Sequence, residues 1–137
     1  HGLLDLTDFI NLEELYCYDN QLIGIEFADS IFDKLRVLHV GNNHFFPQDL
    51  SLFSHFIRLE VLNLENNKFV GSLKVLKNLV NLRSLDISNT NVESGLIYLS
   101  DQLESLFCRV EKGVRCQKIT EKLKEYDLGH DCYDFQA

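Results

Sequence analysis

Apolar residues recur along the chain in one frame whose leading leucines, Leu12 to Leu103, are 23, 24, 23 and 21 residues apart. Each copy has apolar residues at offsets 0, 3, 5 and 10 and an amide or hydroxyl at offset 8. The four full copies read Leu12, Leu15, Cys17, Asn20 and Leu22; Leu35, Leu38, Val40, Asn43 and Phe45; Leu59, Leu62, Leu64, Asn67 and Phe69; Leu82, Leu85, Ile87, Thr90 and Val92. A fifth, decayed copy reads Leu103, Leu106, Cys108 and Glu111.

The frame predicts one short strand in every copy. Side chains at offsets 3 and 5 lie on the same face of a strand, and both are apolar. A single repeat cannot bury that face alone, so neighbouring repeats must stack their strands into a parallel sheet. An asparagine at offset 8 can both donate to and accept from backbone groups at the turn that follows the strand. We therefore predict a structural ladder formed by Asn20, Asn43, Asn67 and the weaker Thr90.

The segments that return from one strand to the next show a second pattern. Leu50, Phe53, Phe56 and Leu59 are three apart, as are Leu73, Leu76, Leu79 and Leu82. This spacing predicts a convex side of 3₁₀, irregular or short helical structure with one edge facing inward. The opening residues Leu3, Leu6, Phe9 and Leu12 share the spacing, so we expect them to be the convex return of a partial first repeat.

The pattern changes after Cys108. Ile119, Leu123 and Tyr126 follow a helical spacing, which predicts an amphipathic helix that caps the open end of the stack. A partner-binding helix is the alternative, and residues 129–137 are expected to be a tail. The predicted organisation is a repeat unit over 1–111, with a partial first repeat, four full repeats and one decayed repeat, and a helical cap and tail over 112–137. The missing initiator Met and N-terminal cap suggest a fragment or a processed chain.

The L-x-x-L-x-L-x-x-N-x-L frame resembles the leucine-rich-repeat superfamily over residues 1 to about 111. Details such as Leu85-Asp86-Ile87-Ser88-Asn89 resemble the repeat proteins of arbuscular mycorrhizal fungi. The resemblance implies an α/β solenoid with a parallel sheet on the concave face, and it implies protein–protein recognition. It does not identify a partner, because a fold alone does not specify function.

The candidate binding surface is the concave face, built from the positions between and just after the core residues of each strand. Exposed aromatic side chains at such positions are typical of binding hot spots. The alternative is that these positions are simply the solvated side of a sheet. The candidate partner-binding residues are Glu14, Tyr16, Tyr18, Asp19, Val37, His39, Asn42, Val61, Asn63, Glu65, Ser84, Asp86, Phe107 and Arg109.

Charge narrows the class of partner. The net charge is −8, from 13 basic and 21 acidic residues, and no basic stripe is visible, which argues against nucleic acid. Acidic residues outnumber Arg109 on the predicted concave face, so a protein or peptide of basic or mixed character is expected. No apolar run is long enough to span a membrane. The first strand, Leu12 to Leu22, presents an uncovered edge that predicts self-association.

Candidate chemistry is sparse. Cys108, Cys116, His130 and Cys132 lack the paired spacing of a zinc site, while a Cys116–Cys132 disulfide or free thiols remain open. His39, Ser84 and Asp86 are expected on different strands, and no phosphate-binding loop or nucleophile motif accompanies them, so no catalytic residue, metal or cofactor is expected. The few cysteines and the absence of glycosylation sequons favour a cytoplasmic location, with secretion as the alternative.

Three functions therefore compete. The favoured one is a recognition module within a larger scaffold or signalling protein. The others are a structural segment that stacks on further repeats without its own ligand, and a fragment of a secreted receptor or effector.

Overall fold

The computed structural model describes residues 2–109 and 132–133 of the 137-residue chain. Its strands are β1 Gly2–Leu6, β2 Glu14–Tyr16, β3 Leu22–Phe27, β4 Val37–His39, β5 Val61–Asn63, β6 Val70–Ser72, β7 Ser84–Asp86, β8 Asn91–Ser94, β9 Ser105–Phe107 and β10 Cys132–Tyr133. Four short 3₁₀ helices lie between them in the described part, at Asp29–Ile31, Leu50–Phe53, Leu73–Leu76 and Leu96–Tyr98.

The predicted concave sheet is confirmed. Within the described residues it has six parallel strands in the order β2-β4-β5-β7-β9-β10. The offset-3 leucines of successive copies are direct partners, as Leu38 pairs with Leu62 and Leu62 with Leu85. The repeat spacing therefore sets the strand register, because a shift by one residue would turn the apolar side chains away from the core.

The predicted 3₁₀ structure is also confirmed in the two return segments that show the three-residue spacing most clearly. Leu50 and Phe53 lie on one 3₁₀ helix, Leu73 and Leu76 on the next, and all four side chains are buried. The amide N–H of Ser51 donates to the Asp49 carboxylate over 3.0 Å, which satisfies a donor at the start of the first of these helices. Polar capping at each start and apolar residues every third position together fix these turns.

A second set of strands follows the asparagine position and was not predicted. β1 pairs with β3 and β6 pairs with β8, all parallel, while a single bridge joins Gln48 to Phe69. Stacking brings these segments side by side just as it does the concave strands, so their backbone groups pair wherever two successive segments are extended. No alternating pattern marked them, because their side chains are buried only in part.

The expectation for the opening residues is therefore wrong in its local structure. Residues 2–6 form β1 rather than a 3₁₀ turn, and Gly2 pairs with Leu22, so they correspond to the segment that follows an asparagine position. Leu3 and Phe9 are 57% and 55% exposed, so the period-three spacing does not mark a buried edge here. The described residues place no repeat on that side to cover them.

The asparagine ladder connects successive repeats at the second and third copies. The Asn43 side-chain amide donates to the carbonyl of Cys17, in the preceding repeat, over 2.9 Å, and its oxygen accepts from Leu22 N–H over 3.1 Å. Asn67 likewise donates to Val40 over 2.8 Å. Asn20 is exposed and donates within its own repeat to Cys17 and Tyr18.

Thr90 ends the ladder, as its shorter side chain predicts. Its hydroxyl donates to the Ile87 carbonyl, within its own repeat, over 2.7 Å. The hydroxyl oxygen also accepts from Val92 N–H over 3.4 Å. A threonine hydroxyl can satisfy the local turn, but it has only one proton to donate and cannot also reach back to the previous repeat.

A row of alternating charge at offset 1 also went unrecognised in the sequence. Arg36 contacts Glu13 over 3.5 Å and Glu60 over 3.9 Å, and Arg83 contacts Glu104 over 2.6 Å. The sequence signal was present, because this offset alternates in sign through all five copies. Each pair is solvent-exposed and contributes at most about 1 kcal/mol, so the row favours correct stacking of repeats more than overall stability.

The predicted helical cap and tail over 112–137 fall almost entirely outside the described residues and stay predictions. Among the described residues, Cys132 and Tyr133 form β10, which pairs with Leu106 and Phe107 of β9. The edge of β9 offers backbone donors and acceptors to this short segment.

We predict that Asn67→Ala lowers the free energy of unfolding by about 1–3 kcal/mol, since it leaves buried carbonyl groups of two repeats without a donor. Asn20→Ala is the matched control, and it should cost less because Asn20 is exposed and bonds only within its repeat. Urea titrations of both variants measure the difference. Equal losses for the two would contradict the ladder role.

Candidate functional site

The concave face presents three side-chain rows across the sheet. The first row, at offset 2, is Glu14, Val37, Val61, Ser84 and Ser105, and the middle row, at offset 4, is Tyr16, His39, Asn63, Asp86 and Phe107. The third row, at offset 6, is Tyr18, Gly41, Glu65, Ser88 and Arg109. The strand pairing thus brings the predicted residues of the first two rows together on one face.

Two predicted residues lie beside this face rather than on it. Asp19 and Asn42 occupy the turn that leaves each strand, with φ angles of 58° and 54°. Asn66 and Asn89 take the same left-handed conformation in the next copies. Asparagine and aspartate tolerate this conformation better than most residues, which explains why the position before each ladder residue is always one of the two.

The three aromatic residues predicted on the concave face do not all lie together. Tyr16 and Tyr18 are 58% and 47% exposed on the first strand, whereas Phe107 is half-buried on the fifth. Three polar residues separate Tyr16 from Phe107 in the middle row, and adjacent strands are about 4.8 Å apart. The Tyr18 ring instead packs against the His39 ring with centroids 4.5 Å apart. The aromatic surface is therefore a local patch around the two tyrosines.

The centre of the middle row is held in place by its own backbone. His39 Nδ1 accepts from Gly41 N–H over 3.2 Å, Asn63 Oδ1 from Glu65 N–H over 3.0 Å, and Asp86 Oδ1 from Ser88 N–H over 2.9 Å. Each acceptor thus bonds the N–H two residues further on. These bonds fix the side chains before any partner arrives, which lowers the ordering cost of binding.

Gly41 allows His39 and Glu65 to approach one another. A Cβ atom at this position would lie 2.8 Å from His39 Cε1 and 2.9 Å from Glu65 Cγ. Any larger residue would displace one of the two side chains. Gly41 therefore shapes the central concave surface by leaving space for its two neighbours. This effect could not be predicted from the sequence, because it depends on which side chains surround the glycine.

Burial shifts the pKa values of three titratable side chains at the centre of the concave face. Desolvation raises the pKa of Asp86, against the opposing effect of the Ser88 N–H and the Arg109 charge. Desolvation, with the nearby Asp86 charge, also raises the pKa of Glu65. Burial lowers the pKa of His39, and Asp86 and Asp19 partly offset that shift. The central surface is thus a partly desolvated set of acceptors, which a donor from a partner would stabilise.

The described residues show no arrangement typical of a catalytic or metal centre. No group of three or more metal-ligating side chains is close together in residues 2–109 and 132–133. His39 and Asp86 lie two strands apart with Asn63 between them. Cys17 and Cys108 are buried core residues, and burial raises the pKa of Cys17 to about 11. Cys116 and His130 lie outside the described residues, so the zinc and disulfide alternatives stay predictions.

No helix among the described residues has the length and apolar character needed to cross a membrane.

We predict that Asp86→Asn raises the melting midpoint at pH 7. The folded state raises the pKa of this carboxyl, so the ionised form costs stability at neutral pH and the cost vanishes below the ordinary pKa of 3.8. Asn63 shows that an asparagine can accept the same backbone N–H. The gain should therefore disappear in melts recorded at a pH below that value.

Asp49→Asn is a control for which we expect the opposite change in melting midpoint. The hydrogen bonds from Ser51 lower the pKa of Asp49, so its ionised form favours folding above its ordinary pKa. Its replacement should lower the melting midpoint at pH 7. A lower midpoint for Asp86→Asn at pH 7 would contradict the desolvation assigned to the central surface.

Comparison with known proteins agrees with the repeat architecture. The profile of the Leucine Rich Repeat family matches residues 58–79. Receptor-like protein 41 of Arabidopsis thaliana is 29% identical over 127 residues, which cover 91% of this chain and 14% of that protein. Receptor like protein 23 of the same plant is 33% identical over 111 residues, covering 74% of this chain and 12% of that protein. No solved structure matches the chain significantly.

The chain therefore spans about one seventh or less of these relatives. The relatives are plant proteins, which gives no support to the closer fungal resemblance. The family match, the similarity over most of the chain and the stacked parallel strands agree on a leucine-rich-repeat solenoid fold, and the chain is similar to the leucine-rich-repeat family over the residues matched.

Proposed function

We propose that this chain is a protein-recognition module that binds its partner through the concave face, as part of a larger receptor-like or scaffold protein. The observation that carries the proposal is the middle row, where His39, Asn63 and Asp86 are fixed by backbone hydrogen bonds beside two exposed tyrosines. A rigid polar centre next to an aromatic patch gives a partner both orientation and apolar contact.

The charge of this face favours a partner of basic or mixed character. Glu14, Asp19, Glu65 and Asp86 contribute negative charge on or beside the face, against the single cation of Arg109 within the three rows. The pKa values of Glu65 and Asp86 are raised because both carboxylates are partly desolvated and nearby positive charge does not compensate for this. A lysine or arginine of a partner would supply the missing positive charge. Binding should therefore weaken as salt is added.

The names of the relatives bear on where the module is located. Their names describe receptor-like proteins, and this favours the secreted alternative over the cytoplasmic location expected from the cysteine and sequon content. We propose that residues 1–111 form the recognition unit and 112–137 its C-terminal cap. No feature of the described residues points to catalysis, so the module contributes recognition rather than chemistry.

Photocrosslinking tests the proposal. A photoreactive amino acid in place of Val61, at the centre of the first row, should crosslink a partner protein that mass spectrometry identifies. The same group in place of Lys77, which is exposed in the return segment between β6 and β7, should not capture that partner. Equal capture of the same partner from both positions would reject the concave face.

The double variant Tyr16→Ala and Tyr18→Ala should reduce affinity for the captured partner at least tenfold, about 1.4 kcal/mol, because exposed aromatic side chains supply much of the apolar contact. Both rings are solvent-exposed, so the melting midpoint should change little. Phe9→Ala, which truncates an aromatic away from the concave rows, is the matched control. Unchanged affinity in the double variant would exclude the aromatic patch.

A structural role for the first repeat is the second candidate, and a specific surface favours it. β2 is an edge strand of the described sheet, and Leu3, Phe9, Ile10 and Tyr16 are each more than half exposed near it. An open strand edge beside apolar side chains recruits another chain. We therefore propose that this end stacks on further repeats or on a second copy.

Sedimentation velocity over a wide concentration range measures this directly. The chain should form concentration-dependent dimers, and Leu3→Glu with Ile10→Lys should shift the equilibrium to monomer. Lys77→Glu, on a distant exposed position, is the control that should leave it unchanged. A monomer at every concentration would contradict self-association and leave the concave proposal intact.

A further inference from the structure

A second surface lies at the edge of the sheet where the strands end. Here the turns after β4, β5 and β7 and the segment after Asn43 enclose a groove of about 780 Å³. Its wall includes Asn66, Asn67, Asn89 and Asn91, and its other side is formed by Phe46 and Pro47. None of the residues of the three concave rows lines it. We call it the amide groove.

Two asparagines of the groove, Asn66 and Asn89, continue a row of side-chain amides that begins at Asn42, which lies outside the groove lining. The Asn66 side-chain amide donates to Asn42 Oδ1 over 2.6 Å, and the Asn89 amide donates to Asn66 Oδ1 over 2.8 Å. The three amides therefore point the same way along the edge of the sheet, one per repeat. The left-handed backbone at each of these residues fixes the row, since it sets the direction in which each side chain leaves the turn.

An acceptor within the groove wall lacks a donor. Asn67 is 5% exposed and lines the groove, and its side-chain oxygen accepts no hydrogen bond from the described residues. The equivalent oxygen of Asn43 accepts from Leu22 N–H. A buried acceptor without a donor costs free energy, and a small movement of the wall that let a ligand hydroxyl reach this oxygen would recover that cost.

Within the part of the chain that the structure describes, the groove lining lacks the acidic residues that dominate the charge of the chain. The chain has a net charge of −8, yet no aspartate or glutamate lines the groove among the described residues. Five of its lining side chains are neutral asparagine amides, and Lys68 and His44 complete the polar set. Amides both donate and accept, as hydroxyl groups do, so the lining suits a neutral ligand rich in hydroxyls.

Phe46 adds an apolar platform. Its side chain is 61% exposed, more than Tyr16 or Phe9, and Pro47 lies beside it. Exposing an aromatic ring at the lip of a polar groove has a cost in water that a bound ligand would remove. The C–H face of a sugar ring is apolar and stacks on the negative face of an aromatic ring.

The spacing of the amides distinguishes a saccharide from an extended peptide. The row repeats once per strand, about every 4.8 Å. A strand-like peptide presents groups to one side only every second residue, about 6.6 Å apart, and would lose register with the row. A saccharide carries several hydroxyls on every ring and can meet each amide in turn. We propose that the amide groove binds a neutral oligosaccharide, on a surface separate from the concave face.

Calorimetric titration of the full chain tests this with three probes: cellohexaose, chitohexaose and mannohexaose. At least one should bind saturably, and Phe46→Ala should weaken that binding at least tenfold. Ile97→Ala, which truncates an exposed apolar residue outside the groove, should bind as the unmodified chain does. Asn66→Gly keeps a residue that accepts the positive φ and removes one amide, so it should weaken binding several-fold at a temperature where the variant is folded.

Hexaglutamate serves as the competing acidic-peptide probe, because Lys68 and His44 would attract it. Binding of hexaglutamate that Phe46→Ala or Asn66→Gly weakens, without binding of any hexasaccharide, would overturn the saccharide assignment. Saccharide binding that both variants leave intact would overturn the location. Failure of all three saccharides to bind would overturn the proposal itself, and none of these outcomes bears on the concave face.

Discussion

The apolar face that each repeat cannot cover by itself is the constraint on which the rest of this structure depends. Leu62 lies on β5, a strand of three residues, and Leu64 follows just after it; only the repeats before and after complete the burial of these two side chains. Burying such side chains contributes roughly 1.5–3 kcal/mol each, far more than any single surface contact in the molecule. Stacking is therefore favourable, and the parallel sheet, the convex 3₁₀ turns and the turn geometry follow from it.

The polar features of the fold make that stacking specific. Asn43 and Asn67 join the carbonyl groups of adjacent repeats, and the charge row led by Glu13 and Arg36 alternates across the same steps. The exposed ion pairs contribute little free energy alone and the buried asparagines contribute more, and both penalise a displaced repeat. The concave rows inherit this order, because a residue at a fixed offset in each copy arrives at a fixed place on the sheet. Recognition by the middle row and by the amide groove rests on that regularity.

The sequence predicted the features that depend on apolar and amide residues recurring at one offset. The sheet, its register and the inter-repeat bonds of Asn43 and Asn67 are of this kind. The alternating charge at offset 1 and the left-handed residue before each ladder position also recur, but neither marks a buried face, so they were not recognised. The closeness of His39 and Glu65 was not predictable, because it depends on Gly41 having no side chain. Tyr16 lies in the middle row as its offset predicts, but three polar residues separate it from Phe107.

Native-state hydrogen exchange across increasing urea tests most directly whether stacking governs the fold. The N–H groups of Val40, Leu64 and Ile87 each donate to the next repeat over 2.8–2.9 Å, so none can open without separating two repeats. If no repeat is stable alone, their opening free energies should converge on one urea-dependent value, that of global unfolding. Three separate values that stay apart at every urea concentration would show repeats that open independently and would contradict stacking as the governing constraint.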